Sequence, residues 1–300
     1  MDFKGGKDKI KKIEKVDDGF IVDIGSRRLH LKKVGLKESE ILFINEVIEH
    51  SVKNGFNNIV VFEILSDGKP YIKYENELYI LTDIYSFVDI KKDINSYCLA
   101  SLLANFHTAA GGFTARDEIK PSVTWGKRTG KYRNFYTMLD KFIDEISEKS
   151  RRNEFEEKVV SILGELKTRC KGAMKAFRSI EYFNLLELSM KKKEIVLYDI
   201  GKQTLAELNG KYYIYDVFDL SYGLIEEDLA MLIKKTNREN KDKIIDIYSK
   251  NSPRQINLNI LEAYLNFPEN TLKVICEYMR QKDANLVAKL QRASIKDDVR

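Results

Sequence analysis

The sequence predicts an α+β chain in two lobes: a small antiparallel β-rich lobe over residues 1–85 and a larger, mainly helical lobe over 86–300. Three observations carry this. Apolar and polar residues alternate with period two from 12 to 34. Long Glu/Lys-faced helical patterns fill 131–190. A pair of short apolar strands at about 195–216 interrupts those helices.

In chain order, Phe20, Val22 and Ile24, then Leu29 and Leu31, mark strands separated by the turn signals Asp17-Asp18-Gly19 and Gly25-Ser26. The segment ESEILFINEVIEHSV follows, with Ile41, Ile44, Val47 and Ile48 on one helical face and Gly55 as its stop. NIVVFEIL and a hairpin, PYIKYENELYILTDI, complete an antiparallel sheet. A connector is expected at about 82–90. INSYCLASLLANFHTAA is a strongly apolar helix closed by Gly111-Gly112, and 114–130 reads as loop. From Ile225 the chain is helical again, with breaks near Ser252-Pro253 and Pro268.

Composition narrows the function classes. Of 300 residues, 43% are hydrophobic and 32% charged, as in ordinary globular proteins. No apolar run reaches the roughly 18 residues a membrane span needs. The N-terminal MDFKGGKDKIKKIEK lacks a signal-peptide core, so synthesis and residence in a cytoplasm are expected. Cys98, Cys170 and Cys276 are dispersed without a CxxC pair, and His30, His50 and His107 are scattered, which argues against disulfides and a zinc site. The net charge of +5 is a mild excess with no basic, aromatic-interleaved stripe, so nucleic acid is not an expected partner.

The segment Ile195–Ile233 carries the chemistry. Two apolar strands end in Asp199 and Asp216, 17 residues apart, ahead of an amphipathic helix. That is the layout of a phosphoryl-transfer site, with one acid to orient a hydroxyl and a second to hold magnesium on a nucleotide. The cleft between two such lobes is where a nucleotide would sit.

Several stretches, taken in order, resemble the aminoglycoside phosphotransferase/choline kinase superfamily, and within it the CotS-type spore coat proteins. They are LHLKKV at 29–34, NGF and DGKPYIKYENELYILTDI within 54–84, LASLLANFHTAAGGF at 99–113, YDVFDLSYGLIEEDLAMLI at 215–233 and AYLNFPENTLKVICEYMRQK at 263–282. The resemblance implies a bilobal protein kinase-like fold. It gives Lys32 the role of contacting the nucleotide's α- and β-phosphates and pairing with a helix glutamate, Glu40 or alternatively Glu46. Read from the residues alone, either Lys32 or Lys33 can face outward. The one-glycine turn DDGF at 17–20 is a poor phosphate-covering loop.

Active relatives carry His-Gly-Asp-x-x-x-x-Asn in the catalytic loop. The matching residues here are Leu197, Tyr198, Asp199 and, at the Asn place, Thr204. The resemblance therefore makes Asp199 the catalytic acid and Asp216 and Thr204 the metal ligands. Phe218 stands at a second acid position beside Asp219, and Asp228 matches a helix aspartate that supports the loop. Asp199 as a turn cap, Asp228 as a first-turn acid and His107 as a core histidine are the plainer readings.

With the His, Gly and Asn replaced together, the implied function is a kinase-like spore coat protein with a degenerate phosphotransferase site, acting in coat assembly with other coat proteins. The alternatives are an active ATP/Mg2+-dependent phosphotransferase of a small hydroxyl acceptor and a nucleotide-binding regulator without transfer. The cofactors are accordingly ATP with Mg2+, or none.

Overall fold

The computed structural model describes residues 10–90, 94–201, 204–236 and 238–298. Residues 1–9 of the N-terminal segment, and Lys202 and Gln203 of the catalytic-loop stretch, lie outside the described residues.

Strands β1 (Lys12–Val16), β2 (Gly19–Asp23) and β3 (Arg28–Val34) form the meander that the period-two pattern predicts. Helix α1 (Glu38–Lys53) buries Ile41, Ile44, Val47 and Ile48 on one face and ends at Asn54, with Gly55 at φ +90°. β4 (Ile72–Tyr74) and β5 (Glu77–Asp83) turn through Glu75 and Asn76, both at positive φ. The sheet is antiparallel throughout, in the order β1-β2-β3-β5-β4.

NIVVFEIL departs from expectation. It adds no regular strand to this sheet. Its backbone pairs instead in two directions: Val60 N donates to Ile214 O at 2.8 Å, and Glu63 N donates to Leu81 O at 2.8 Å. With Ile59, Val60 and Phe62 buried, it joins the sheet to a later hairpin.

β6 (Ser86–Phe87) precedes the apolar helix α2 (Ser96–Ala110), whose Asn95 cap accepts from Tyr97 N. Three long helices follow: α3 (Lys127–Ser147), α4 (Glu154–Ala176) and α5 (Ile180–Lys192). The strand region is more divided than the sequence suggested. β7 (Ile195–Val196) does not pair with the later aspartate-bearing strand. The hairpin is β8 (Leu205–Leu208) with β9 (Lys211–Ile214), and β7 pairs with β10 (Ser221–Tyr222). The reason is local. Asn209 and Gly210 both adopt positive φ, the geometry of a two-residue type I′ hairpin, and that fixes the turn there. β6 adds to β8 and makes a three-stranded sheet.

The chain ends in α6 (Ile225–Lys235), α7 (Lys241–Asn251), α8 (Leu258–Asn266), α9 (Glu269–Gln281) and α10 (Val287–Asp297). Breaks fall at Ser252-Pro253 and before Pro268, where a missing N–H and a fixed φ stop a helix. One apolar core runs from α1 and β5 through α2 and β7 to α8 and α9, so the strands and loops between them are set on a rigid base. Among the described residues no helix is long and apolar enough to cross a membrane.

Candidate functional site

β3 settles which lysine faces inward. The Lys33 side chain is about half exposed and reaches Glu77 at 2.8 Å on the outer side of the sheet. Lys32 points the other way, with 12% of its side chain exposed. Its ammonium lies 5.0 Å from the centre of the Phe218 ring and 3.5 Å from Asp18 Oδ2. Asp18 comes from the β1–β2 turn. Gly19 lets that turn press onto β3, since a Cβ there would sit 2.0 Å from the Leu31 carbonyl oxygen.

The carboxylate beside Lys32 is therefore Asp18, and the structure does not bring Glu40 to it. Glu40 stands in the first turn of α1, and its carboxylate accepts the Lys37 N–H at 2.7 Å, closing the helix end on itself. Glu46, the alternative, is ion-paired with Arg116.

Two residues before Lys32, His30 is buried. Its Nδ1 lies 3.0 Å from the Tyr215 hydroxyl, which also meets Thr82 Oγ1 at 3.2 Å. His30 Nε2 is 3.0 Å from Asp18 Oδ1 but is not aligned for a hydrogen bond. Burial, only partly offset by Asp18, pushes the His30 imidazole below its ordinary pKa and favours the neutral ring. Tyr215 directly precedes Asp216, so this contact ties the sheet to the aspartate-bearing segment. Phe87 and Tyr85 pack edge-on against the Tyr215 ring at 5.0 and 5.5 Å.

Asp199 is 63% exposed and accepts from the Lys235 ammonium at 2.9 Å. Lys235 belongs to the last turn of α6 and also bonds the Ile200 carbonyl. Asp216 is partly buried, and its Oδ1 accepts the Phe218 N–H at 3.4 Å. Asp199, Asp216 and Asp219 lie close enough to interact. Partial burial, then the charges of Asp216 and Asp199, hold the Asp219 carboxyl above its usual range, although the residue keeps an exposed side.

The loop that carries Asp199 is held from beneath. Asp228, fully buried on α6, accepts the Leu197 N–H at 2.6 Å and the Tyr198 N–H at 2.9 Å. His107 Nε2 contacts the same carboxylate at 3.1 Å, and His107 Nδ1 meets the Tyr248 hydroxyl at 2.5 Å. His107 is thus a core residue that orients a loop support. Tyr198 stands where the family pattern has Gly, and it adopts φ +65°, a conformation that suits Gly far better than Tyr. Arg128 stabilises it there: its Nη2 donates to the Tyr198 carbonyl at 2.6 Å, and its guanidinium lies 4.8 Å from the ring centre.

Thr204 has another task than the one the resemblance gives it. It is 1% exposed, its hydroxyl accepts the Gly201 N–H at 2.5 Å, and its carbonyl accepts the Tyr215 N–H at 2.7 Å. Of the two groups assigned to magnesium, only Asp216 keeps a carboxylate at the cleft. Mg2+ beside a nucleotide is ordinarily held by one or two carboxylates together with phosphates and waters, so of the two groups Asp216 is the one that would hold it here. Among the described residues no group of three or more His, Cys, Asp or Glu side chains is arranged to hold a metal ion.

Beside Asp199 and Tyr198 opens a cavity of about 390 Å3, walled by α3, α6, α9 and α10. Two buried acids organise it. Glu227 Oε2 lies 3.3 Å from Arg128 Nε, and Glu227 Oε1 accepts from the Tyr264 hydroxyl at 2.9 Å. Burial, only partly countered by Arg128, pushes the Glu227 carboxyl up to about 7. Glu269 binds Lys131 and Lys273, each at 2.9 Å, and the Tyr132 hydroxyl at 3.1 Å. Sequence reasoning missed this cavity, because its residues are spread from 89 to 296 and share no local pattern.

Solved structures align with this arrangement over nearly its whole length. An aminoglycoside phosphotransferase from Alicyclobacillus acidocaldarius superposes with a TM-score of 0.82 at 16% identity, covering 96% of this chain and 89% of that one. The fold is that of the kinase-like phosphotransferases. A spectinomycin phosphotransferase, solved with ADP and spectinomycin, superposes on this chain with a TM-score of 0.62 at 14% identity, covering 96% and 88%. A microcompartment-associated aminopropanol kinase does so with 0.62 at 10%, covering 97% and 89%. No family model matches the sequence, and no curated protein matches it.

Proposed function

We propose that this chain keeps the kinase-like phosphotransferase fold without phosphoryl transfer and works by binding, in the spore coat setting that its sequence resemblance implies. The observation that carries this reading is the Thr204 hydroxyl, buried and spent on the Gly201 N–H at the position where the family pattern places a magnesium-ligating Asn. Two contacts support it. Asp18 lies 3.5 Å from the Lys32 ammonium, and the buried His30–Tyr215 pair ties the sheet to the Asp216 segment. Phosphoryl transfer depends almost wholly on positioned charge, so these changes together remove what drives it. On this reading residues 1–85 and 86–300 act as two lobes of a binding scaffold, other coat proteins are its partners, and neither ATP nor Mg2+ is required.

One observation favours a second reading, an active phosphotransferase. Asp199, the proposed catalytic acid, is exposed at the rim of a cavity large enough for a small acceptor, on a loop that Asp228 still anchors. A nucleotide-binding regulator that transfers nothing is the intermediate case.

Thermal unfolding with ATP or GTP, with and without Mg2+, separates the three, because a ligand of the native state must raise the melting temperature. The binding scaffold shows no magnesium-dependent rise. A saturable rise that is lost in Asp216→Ala overturns it. ATP turnover in the wild type that disappears in Asp199→Asn then selects the enzyme over the regulator.

A further inference from the structure

The cavity beside Asp199 has a one-sided charge. Among the described residues it is lined by the cations Arg128, Lys131, Lys234, Lys235, Lys273 and Lys296, six in all, and by three carboxylates, Asp89, Asp199 and Glu269, which leaves a surplus of three positive charges. Four helices, α3, α6, α9 and α10, contribute the cations, so the surplus is a property of the fold and not of one lysine-rich helix.

The charges are held in place. Arg128 has 7% of its side chain exposed and is fixed by Glu227, by the Tyr198 carbonyl and, at 3.7 Å, by Glu269. Glu269, 6% exposed, orients the Lys131 and Lys273 ammonium groups from below. Each ammonium has three N–H donors, and the Glu269 contact uses one of them. Arg128 is buried and weakly screened, while Lys131 and Lys273, nearly half exposed, act through their place on a concave wall beside it. Glu227 adds to the effect, since a carboxyl pushed up to about 7 carries only part of a negative charge behind Arg128 near neutral pH.

We propose that this cavity binds a small, multiply charged anion bearing phosphate or carboxylate groups. Lys131 and Lys273 supply ammonium donors to an oxyanion, and Arg128, whose own donors are held by Glu227, Tyr198 and Glu269, supplies positive charge behind them. Spectinomycin, which one structural neighbour carries, is an amine and cationic at neutral pH. A wall with three surplus positive charges repels such a ligand. The inference is independent of nucleotide binding in the neighbouring cleft, since it uses none of Lys32, Asp216 or Thr204.

The test is calorimetric titration of the full chain with inorganic pyrophosphate and with citrate, without Mg2+, against kanamycin as a polycation. Saturable one-to-one binding of pyrophosphate or citrate is expected, and the tighter of the two identifies the oxyanion. The double variant Lys273→Ala/Lys296→Ala should bind at least about tenfold more weakly, since two charges facing the anion are removed. Lys191→Ala, on helix α5, should stay within about twofold, since it does not line the cavity. Binding of neither anion overturns the proposal, as does tighter binding of kanamycin. An unchanged affinity in the double variant also overturns it, and a loss confined to Lys32→Ala would move the anion to the other cleft.

Discussion

The Asp228 carboxylate accepts the Leu197 N–H at 2.6 Å, which fixes the loop that presents Asp199 from a fully buried position on α6. The same carboxylate takes the Tyr198 N–H and His107 Nε2. Asp228→Ala would leave these donors buried without an acceptor, at about 1–3 kcal/mol for each unmade bond. The expected loss in urea unfolding is on the order of 3–5 kcal/mol, with Asp228→Asn in between because an amide keeps one acceptor oxygen. A loss below about 1 kcal/mol for the alanine variant would mean that the loop holds its shape without this anchor.

Tyr198 carries the conformational cost of that loop. A non-glycine residue at φ +65° costs roughly 1 kcal/mol, and the Arg128 contacts with its ring and carbonyl offset it. Tyr198→Gly removes the strain and loses the ring contact, so its stability should stay within about 1 kcal/mol of wild type. Tyr198→Val keeps the strain, worsens it through Cβ branching and loses the ring, so a loss of about 2 kcal/mol or more is expected. Equal stabilities of the two variants in chemical denaturation would show that the backbone relaxes out of this conformation.

Much of the fold was legible because it rests on local periodicity. The alternation through Val22, Ile24 and Leu29 and the face of Ile41, Ile44, Val47 and Ile48 are strand and helix signals within single segments. The hairpin was placed at about the right part of the chain but with the wrong partner for Ile195-Val196, although Asn209-Gly210 marks the turn in the sequence itself. The site was legible only where one residue's chemistry suffices. The loop-supporting place of Asp228 could be read from its match to a helix aspartate. The acid beside Lys32 could not, since Asp18 reaches it through the tight contact of Gly19 with β3, and a glutamate in the first turn of α1 is drawn to the helix end instead. The cations of the cavity come from segments more than 160 residues apart and meet only in the packed helices.

Glu269 makes part of the stability depend on acid. Burial alone would raise its carboxyl from 4.5, but Lys273 and Lys131 hold it down at about 2. A carboxyl with a depressed folded-state pKa contributes stability above its unfolded value of 4.5, and that contribution is lost as pH falls toward 2. The difference corresponds to about 3 kcal/mol. Glu269→Gln should therefore fall furthest below wild type at pH 6, and the gap should close progressively between pH 4.5 and 2. A gap that is constant over that window in urea titrations would show that Glu269 packs without pairing.

Arg254 joins three separate parts of the helical region through a fully engaged guanidinium. Its Nε and Nη2 donate to Glu194 at 2.6 and 3.1 Å, and Nη1 and Nη2 donate to Glu226 at 2.5 and 2.8 Å. All three side chains are nearly inaccessible, at 6%, 2% and 0% exposed. This ties the segment between α7 and α8 to the entry of β7 and the first turn of α6, the helix that carries Asp228. Arg254→Ala strands two buried carboxylates, and breaking such a pair from one side costs about 3–5 kcal/mol. Arg254→Lys keeps the charge but not the planar fork that serves two carboxylates at once, so it should recover less than half of that loss. Guanidinium denaturation of the three proteins with unchanged m-values decides it. An alanine variant within about 1 kcal/mol of wild type would mean that water or Asn257, whose N–H already bonds Glu226 at 3.0 Å, replaces the arginine.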